Sequence, residues 1–360
     1  MSGCTVLEVD LDKITYNTIQ VVKRCNLLGI SVLGVTKGFS AMHPIVSALV
    51  EGGVEGLADS RMENIIELRK REVNQEITLL RLPRLSNVET IVQYADVSIN
   101  SEVIVMEALS KAAVALGKIH RILLMVDVGD LREGLLINQV VDTVKQISKL
   151  KGLYLLGLGT NMGCFGGILP SPRNLGVLVA LAEAIEKKVG IRVEIISGGG
   201  TSSLLLVEQG NVPAGINQLR IGEGILLGTD TTHNRKIPWL LQNAFVLRAE
   251  VIEVKSKPSV PIGDVGRDAF GKIPHFVDRG VRKRAILALG KQDVNVDGIT
   301  PFDPAMKILG ASSDHLILDV TDCQQEIAVG DNVTFSLSYP ALLSVSDSNY
   351  VAKKFSRRTI

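Results

Sequence analysis

From about residue 10 to residue 230, short apolar, β-branched runs alternate with longer segments of helical period. The strand candidates are Ser31–Val35, Gly56–Ala58, Ile77–Arg81, Val97–Ile99, Ile122–Asp127, Leu153–Gly157, Arg192–Ile196 and Gln218–Ile221. Helical spacing recurs over Ile14–Leu27, Pro44–Glu51, Met62–Arg71, Glu102–Ala115, Gln139–Lys149, Leu175–Lys188 and Ser202–Gln209. Strands joined by helical crossovers imply a parallel sheet, and eight of them is the number that closes a (β/α)8 TIM-like barrel. A doubly wound open sheet is the competing arrangement, but it usually uses fewer strands.

The texture changes after residue 235. Phe245–Lys255, Lys283–Ala288, Leu316–Val320 and Asn332–Leu337 read as strands separated by Pro/Gly/Asp turns with little helical period. The expected division is therefore an α/β barrel over 1–235 and a mostly β C-terminal domain over 236–360. The strand-like opening Leu7–Asp10 precedes the first barrel helix, which leaves residues 1–10 open to membership of the second domain. Lys257–His275, rich in Pro, Gly and Asp, reads as a long loop of the functional or mobile kind.

Composition narrows the function classes. Lys and Arg number 39 against 38 Asp and Glu, a net charge of +1, and only 4% of residues are aromatic. Neither a basic field nor base-stacking platforms exist for nucleic acid. No uninterrupted apolar run reaches membrane-spanning length, and the amino terminus lacks a basic stretch followed by an apolar one, so a cytoplasmic protein with no membrane association is expected. Cys4, Cys25, Cys164 and Cys323 are scattered without CxxC spacing, so neither a disulfide framework nor a metal site is indicated.

Chemistry in such a barrel collects where strands end, at the carboxyl face. Lys37 follows the apolar run Ile30–Thr36 and precedes Gly38. An amine rising from a desolvated floor has a lowered pKa and keeps a neutral, nucleophilic fraction, as carbonyl condensation requires. The bland reading is a surface lysine in a turn. Ser197-Gly198-Gly199-Gly200-Thr201-Ser202-Ser203 places glycines and small hydroxyls before a helix, a backbone concavity suited to phosphate; a flexible loop is the alternative. Arg220 ends a strand, and Gly222 after it offers another N–H. An arginine beside a pyridine nitrogen can only donate, leaving the ring unprotonated and a weakened electron sink, which suits racemisation better than transamination or decarboxylation. In Met125–Gly134, Arg132 is placed to clamp a carboxylate or phenolate, with pairing to Asp130 or Glu133 as the competing explanation. Together these elements suggest a site for a phosphorylated aldehyde. Neither a Walker pattern nor GxGxxG occurs.

These residues resemble the alanine racemase family of fold-type III pyridoxal-phosphate enzymes, nearest its ornithine racemase branch. The resemblance spans most of the chain: Val35–Gly38, Leu57–Arg61, Val126–Gly134, Ser197–Ser203, Leu219–Gly228, Lys257–Gly263 with Asp268–Gly271, Arg282–Asp293 and Leu309–His315. It implies that Lys37 carries pyridoxal 5'-phosphate and acts as one acid/base group. It further implies that Ser202 or Ser203, with the backbone of Gly222 and Glu223, holds the phosphate, and that Arg220 faces the pyridine nitrogen. Arg132 would lie near the cofactor phenolate and the substrate carboxylate. Asn161 would replace the histidine that such enzymes place beside the pyridine-facing arginine. The family's head-to-tail homodimer would bring Ala311–His315 to the partner's pocket.

The chain also departs from the family pattern. Gly38–His43 lacks the phosphate-contacting tyrosine, and Met125 stands where a lysine is often carbamylated. The opposite-face catalytic tyrosine has no counterpart in its usual segment, so the second base is left among Asp268, Tyr339, Asp314 and His315. Asp314, with Asp264 and Asp268, could attract the distal ammonium of ornithine or lysine. The resemblance thus implies a racemase of ornithine, lysine or alanine. A basic amino-acid decarboxylase is the alternative, opposed by Arg220 where those enzymes have a carboxylate. A non-catalytic pyridoxal-phosphate homeostasis protein would leave the second domain unexplained, and a zinc-dependent dehydratase would need a His/Cys pair that Ser312–His315 lacks.

Overall fold

The computed structural model describes residues 5–357. They divide into two compact units: Leu11–Gln242 forms one, and β1 (Thr5–Asp10) belongs with the residues from Asn243 onward in the other.

In the first unit, β2 (Ser31–Val35), β3 (Gly56–Asp59), β4 (Glu76–Leu79), β5 (Val97–Asn100), β6 (His120–Met125), β7 (Leu153–Gly159), β8 (Ile195–Ser197) and β9 (Gln218–Ile221) pair in parallel and in sequence order. β9 returns to β2, with Ser31 opposite Gln218, and closes the barrel. The period of two decides which residues face where. Along β6, Leu123 and Met125 turn inward with Val97, Ile99 and Leu156. Ile122 and Leu124 turn outward onto Leu175, Leu178 and Ile185 of the helix Pro172–Val189. Each such fully buried aliphatic side chain contributes roughly 1.5–3 kcal/mol.

Several boundaries differ from expectation for local reasons. The strand expected over Arg192–Ile196 is only Ile195–Ser197. At its start, the Asn217 side chain captures the backbone, accepting from Ile196 N at 2.8 Å and donating to Glu194 O at 2.7 Å. The strand expected to reach Asp127 ends at Met125: Val126 N still donates to Gly159 O of β7 at 2.8 Å, but Val126 also bridges Leu135, and Asp127 N turns to Leu135 O at 2.9 Å. That detour makes the turn that carries Arg132. The helix expected from Ser202 begins as a 3-10 turn, Thr201–Ser203, before Leu204–Gln209. A helix over Val88–Tyr94, not anticipated, supplies the crossover from β4 to β5. After β9 come a short helix, Glu223–Leu227, and the hairpin of β10 (Thr229–Asp230) and β11 (Arg235–Lys236).

The second unit is built on β12 (Phe245–Pro258). Its first half pairs with β1, Leu247 opposite Leu7; beyond a register shift at Val251/Glu253, its second half pairs with β13 (Val281–Leu287). β14 (Ile299–Pro301), β15 (Lys307–Ala311), β16 (Leu316–Asp319), β17 (Asn332–Leu337) and β18 (Ala352–Ser356) complete an eight-stranded sheet in the order β14-β17-β12-β13-β16-β15, with β18 held by β1. Because β12 stays paired through Pro258, opposite Val281, the loop expected over Lys257–His275 is instead 259–280, and it is largely exposed. The α-helix Tyr339–Asp347 and the 3-10 turn Val296–Gly298 interrupt the β texture. Among the described residues no helix is long and apolar enough to cross a membrane.

Candidate active site

At the carboxyl end of the barrel strands, Lys37 opens a 3-10 turn, Lys37–Phe39, directly after β2. Fully buried Phe39 anchors that turn. Ser40 and Ala41 then adopt left-handed φ values of 50°, uncommon for residues with a Cβ. The Lys37 amine has no hydrogen bond or ion pair among the described residues. Burial is the chief cause that pulls its pKa below the usual lysine value. Cys164 and Asp59 push it back up, while Arg132 and Arg220 push it further down. A half-buried, unpaired amine facing two guanidinium groups is arranged for condensation with a carbonyl rather than for an ion pair.

Arg220, on β9, is 6% exposed. Its Nη2 donates to Thr160 O at 2.5 Å and its Nη1 to Ser197 Oγ. Burial pulls its pKa down to about 10, which still leaves it a cation near neutrality. Thr160 is itself pinned by a 2.8 Å hydrogen bond from its hydroxyl to Val126 O, so adjacent strand ends lock this guanidinium.

The glycine turn is tied to the same strand end. Gly199 has φ +100°, and its carbonyl accepts from Arg220 N at 2.9 Å. Gly224 N donates to Thr201 Oγ1 at 3.1 Å. Ser203 commits its hydroxyl to Gly198 O at 2.7 Å, whereas the hydroxyl of buried Ser202 makes no hydrogen bond to a described residue. Of the two serines, Ser202 is thus the one with a donor to offer a phosphate. The carboxylate of Glu223 is capped by Thr229 Oγ1 at 2.7 Å and by Thr231 N and Oγ1 at 3.0 and 2.6 Å.

Arg132 pairs with Glu133, the neighbour named as its competing partner. With its amide turned to satisfy both groups, Asn161 accepts from Arg132, 3.2 Å from Nη1. Asn161 therefore serves Arg132, and the contacts to Arg220 come from the Thr160 carbonyl and Ser197. Asp130 does not pair with Arg132: it accepts from the amides of Gly163, Phe165 and Ile168 and so shapes the loop after β7. That loop delivers Cys164 into electrostatic contact with Lys37, Arg132 and Arg220. Sequence reasoning passed over Cys164, since a cysteine without partners at metal or redox spacing gives no signal; its place just beyond a barrel strand end was the available clue. Asp59, at the end of β3, was likewise overlooked.

The remaining candidates belong to the second unit. Asp268 is exposed, and its Oδ1 caps the amides of Phe270 and Lys272 at 2.9 and 2.8 Å. Those hydrogen bonds, that from Lys272 foremost, hold its pKa below the usual carboxylate range. Asp314 accepts from Ser313 Oγ at 2.5 Å, and His315 N donates to Ser312 Oγ at 3.1 Å in the β15–β16 turn. Tyr339 is half-buried at the first residue of its helix.

A closed parallel barrel with a lysine, a locked arginine and a glycine-serine turn at its carboxyl end, together with a β domain, defines an enzyme of the alanine racemase type. The chain belongs to this family: the alanine racemase N-terminal domain matches residues 9–230. It is an amino-acid racemase by its full-length similarity to proteins so named. It is 40% identical to the ornithine racemase of Acetoanaerobium sticklandii, over 97% of this chain and 98% of that protein. It is 42% identical to the lysine racemase of Thermotoga maritima, over the same 97% and 98%. An alanine racemase structure from Clostridium difficile 630 shares the fold, with a TM-score of 0.79 at 18% identity over 99% of this chain and 97% of that one.

Proposed function

We propose that this chain interconverts the L- and D-forms of a basic amino acid, ornithine or lysine, with pyridoxal 5'-phosphate held on Lys37. The observation that carries this reading is the unpaired, desolvated Lys37 amine facing the buried Arg220 cation. Full-length similarity to racemases named for ornithine and lysine supports the substrate class. The residues present fit the cofactor: Ser202 and the backbone of Gly222 and Glu223 would hold the phosphate, and Arg220 would meet the pyridine nitrogen. When bound, pyridoxal phosphate supplies an electron sink that acidifies the substrate Cα–H.

The protein's own groups account for the rest. Arg132 engages the substrate carboxylate once its fork is released from Glu133 or Asn161. Lys37, with its lowered pKa, has a neutral fraction able to take the Cα proton on one face and return it. Asp268, Tyr339, Asp314 and His315 are the candidates for the group on the opposite face, delivered by the second unit of the other chain in a head-to-tail homodimer.

Charge bookkeeping favours an outside reader for the distal ammonium. In the barrel, Asp59, Asp130, Glu133 and Glu223 are already engaged, by Thr36, by loop amides, by Arg132 and by threonines. Asp314, Asp264 and Asp268 of the second unit are the acidic groups proposed to read it.

Incubation with L-ornithine, L-lysine and L-alanine in deuterated water tests this reading. Deuterium at Cα with appearance of the D-isomer is expected, fastest for ornithine or lysine. A clear preference for alanine would sink the substrate assignment, and release of carbon dioxide would sink the reaction. Lys37→Ala is expected to abolish both the turnover and the visible absorbance band that pyridoxal phosphate gives on the wild-type protein.

A further inference from the structure

Asp59 is a fully buried carboxylate at the end of β3, one strand over from Lys37, and no step above uses it. A group of that kind is retained in a protein interior only if its charge is compensated. Its Oδ2 accepts from the hydroxyl of Thr36, the residue that immediately precedes Lys37, at 2.5 Å. Its Oδ1 accepts from Arg61 N at 2.8 Å, and Asn64 Nδ2 reaches both oxygens at 3.2 and 3.1 Å. Thr36 is buried, and its N–H donates to Ala58 O at 2.9 Å, so the segment that launches Lys37 is riveted to β3 by backbone and side chain together.

We propose that Asp59 is a positioning residue for Lys37: through Thr36 it fixes the backbone from which the lysine emerges, and its charge is the carboxylate that balances the cations around the amine. The inference rests on Lys37 being the reactive lysine. The charged and titratable groups facing that amine are Cys164, Arg132, Asp59 and Arg220. Two of these are guanidinium groups, and together with burial they drive the amine toward its neutral form. Asp59 is the only carboxylate in the set, and it opposes them. Burial, the largest influence on Asp59, raises its own pKa, while the hydrogen bonds from Thr36, Arg61 N, Asn64 and Ser60 N stabilise its charged form. Four donors converging on one carboxylate are what sustains an anion in a site this dry.

The test reads Lys37 in the cofactor-free protein, by the pH dependence of its acylation with acetic anhydride, followed by mass spectrometry of the Lys37 peptide. Asp59→Asn keeps an acceptor for Thr36 and removes the charge. The expected result is a lower midpoint for Lys37 labelling in the folded variant, and a displacement to lower pH of the acid limb of kcat, which reports groups of the substrate complex. Each unit of displacement is a tenfold larger neutral fraction on the acid side. An unchanged midpoint in folded Asp59→Asn overturns the proposal and leaves Asp59 as a turn-capping residue. Thr36→Val tests the positional link should Asp59→Asn not fold: a lower kcat with KM held supports it, and wild-type kcat overturns it. A wild-type protein that labels normally at Lys37 but gains no visible band with pyridoxal phosphate would instead refute the function proposed above.

Discussion

Lys37 is set apart by its surroundings: a buried strand behind it, two guanidinium groups acting on its amine, and no hydrogen-bond or ion-pair partner among the described residues. The apolar run and the following glycine made the desolvation legible in the sequence. Arg132 and Arg220 were legible as strand-end cations, but not how they are held. Arg220 is gripped by Thr160 O and Ser197, whereas Asn161 turns to Arg132, a choice made by side-chain direction at the end of β7. Cys164 was invisible because the cations it acts on, Arg132, Arg220 and Lys37, lie 32 or more positions away in the sequence. Its exposed thiol, in electrostatic contact with Lys37 and Arg132, gives a direct prediction. Alkylation of Cys164 with a bulky maleimide is expected to abolish turnover by filling the mouth, and Cys164→Ser is expected to be insensitive to the reagent. Full activity of the quantitatively modified wild-type protein would show that the thiol lies clear of the substrate path.

The glycine turn and the β5–β6 pair carry their own consequences at the level of elements. Gly199 sits at φ +100°, and a Cβ there would lie 3.2 Å from Ser203 Oγ. Gly199→Ala is expected to cost about 1–2 kcal/mol and to weaken retention of pyridoxal phosphate, read by thermal melting and by dialysis. His120, at the start of β6, is 3% exposed and shares a 2.8 Å hydrogen bond with Ser98 Oγ of β5. Burial pulls its pKa down from 6.5 to about 4, so the folded protein keeps it neutral while the unfolded chain protonates. The unfolded state therefore binds more protons between those values. The His120 contribution is complete above pH 6.5 and is lost as pH falls toward 4, up to roughly 3 kcal/mol. Urea melts at pH 7 and pH 5 should show that slope in the wild type and a shallower one in His120→Gln. Equal slopes would assign the acid sensitivity to other groups.

For the whole molecule, the proposed assembly and the fold's legibility meet at the second unit. A head-to-tail homodimer predicts a sedimenting species of two chains at micromolar concentration. It also predicts that trypsin cleavage at Arg267 and Lys272, in the exposed 259–280 loop, slows when the dimer forms. A monomer that turns over substrate at full rate would contradict it. The barrel was readable because its strands and helices announce themselves locally, through runs of β-branched residues and a helical period, each carrying its own hydrophobic face. The second unit was readable only in part. β14, β15 and β18 are three to five residues long and carry charged, proline or glycine residues in place of an apolar run, and they exist as strands because β17, β16 and β1 offer them free ladder groups. By itself the sequence determined the alternation, the eightfold count and the residue types at strand ends, since those depend on contacts between near neighbours in the chain. Tertiary structure alone decided that β1 pairs with β12 across more than 200 positions, that Asp59 stands beside Lys37 through Thr36, and that Asn161 serves Arg132. Those pairings depend on barrel closure and sheet register, which bring distant residues within hydrogen-bond reach and leave no trace in local pattern.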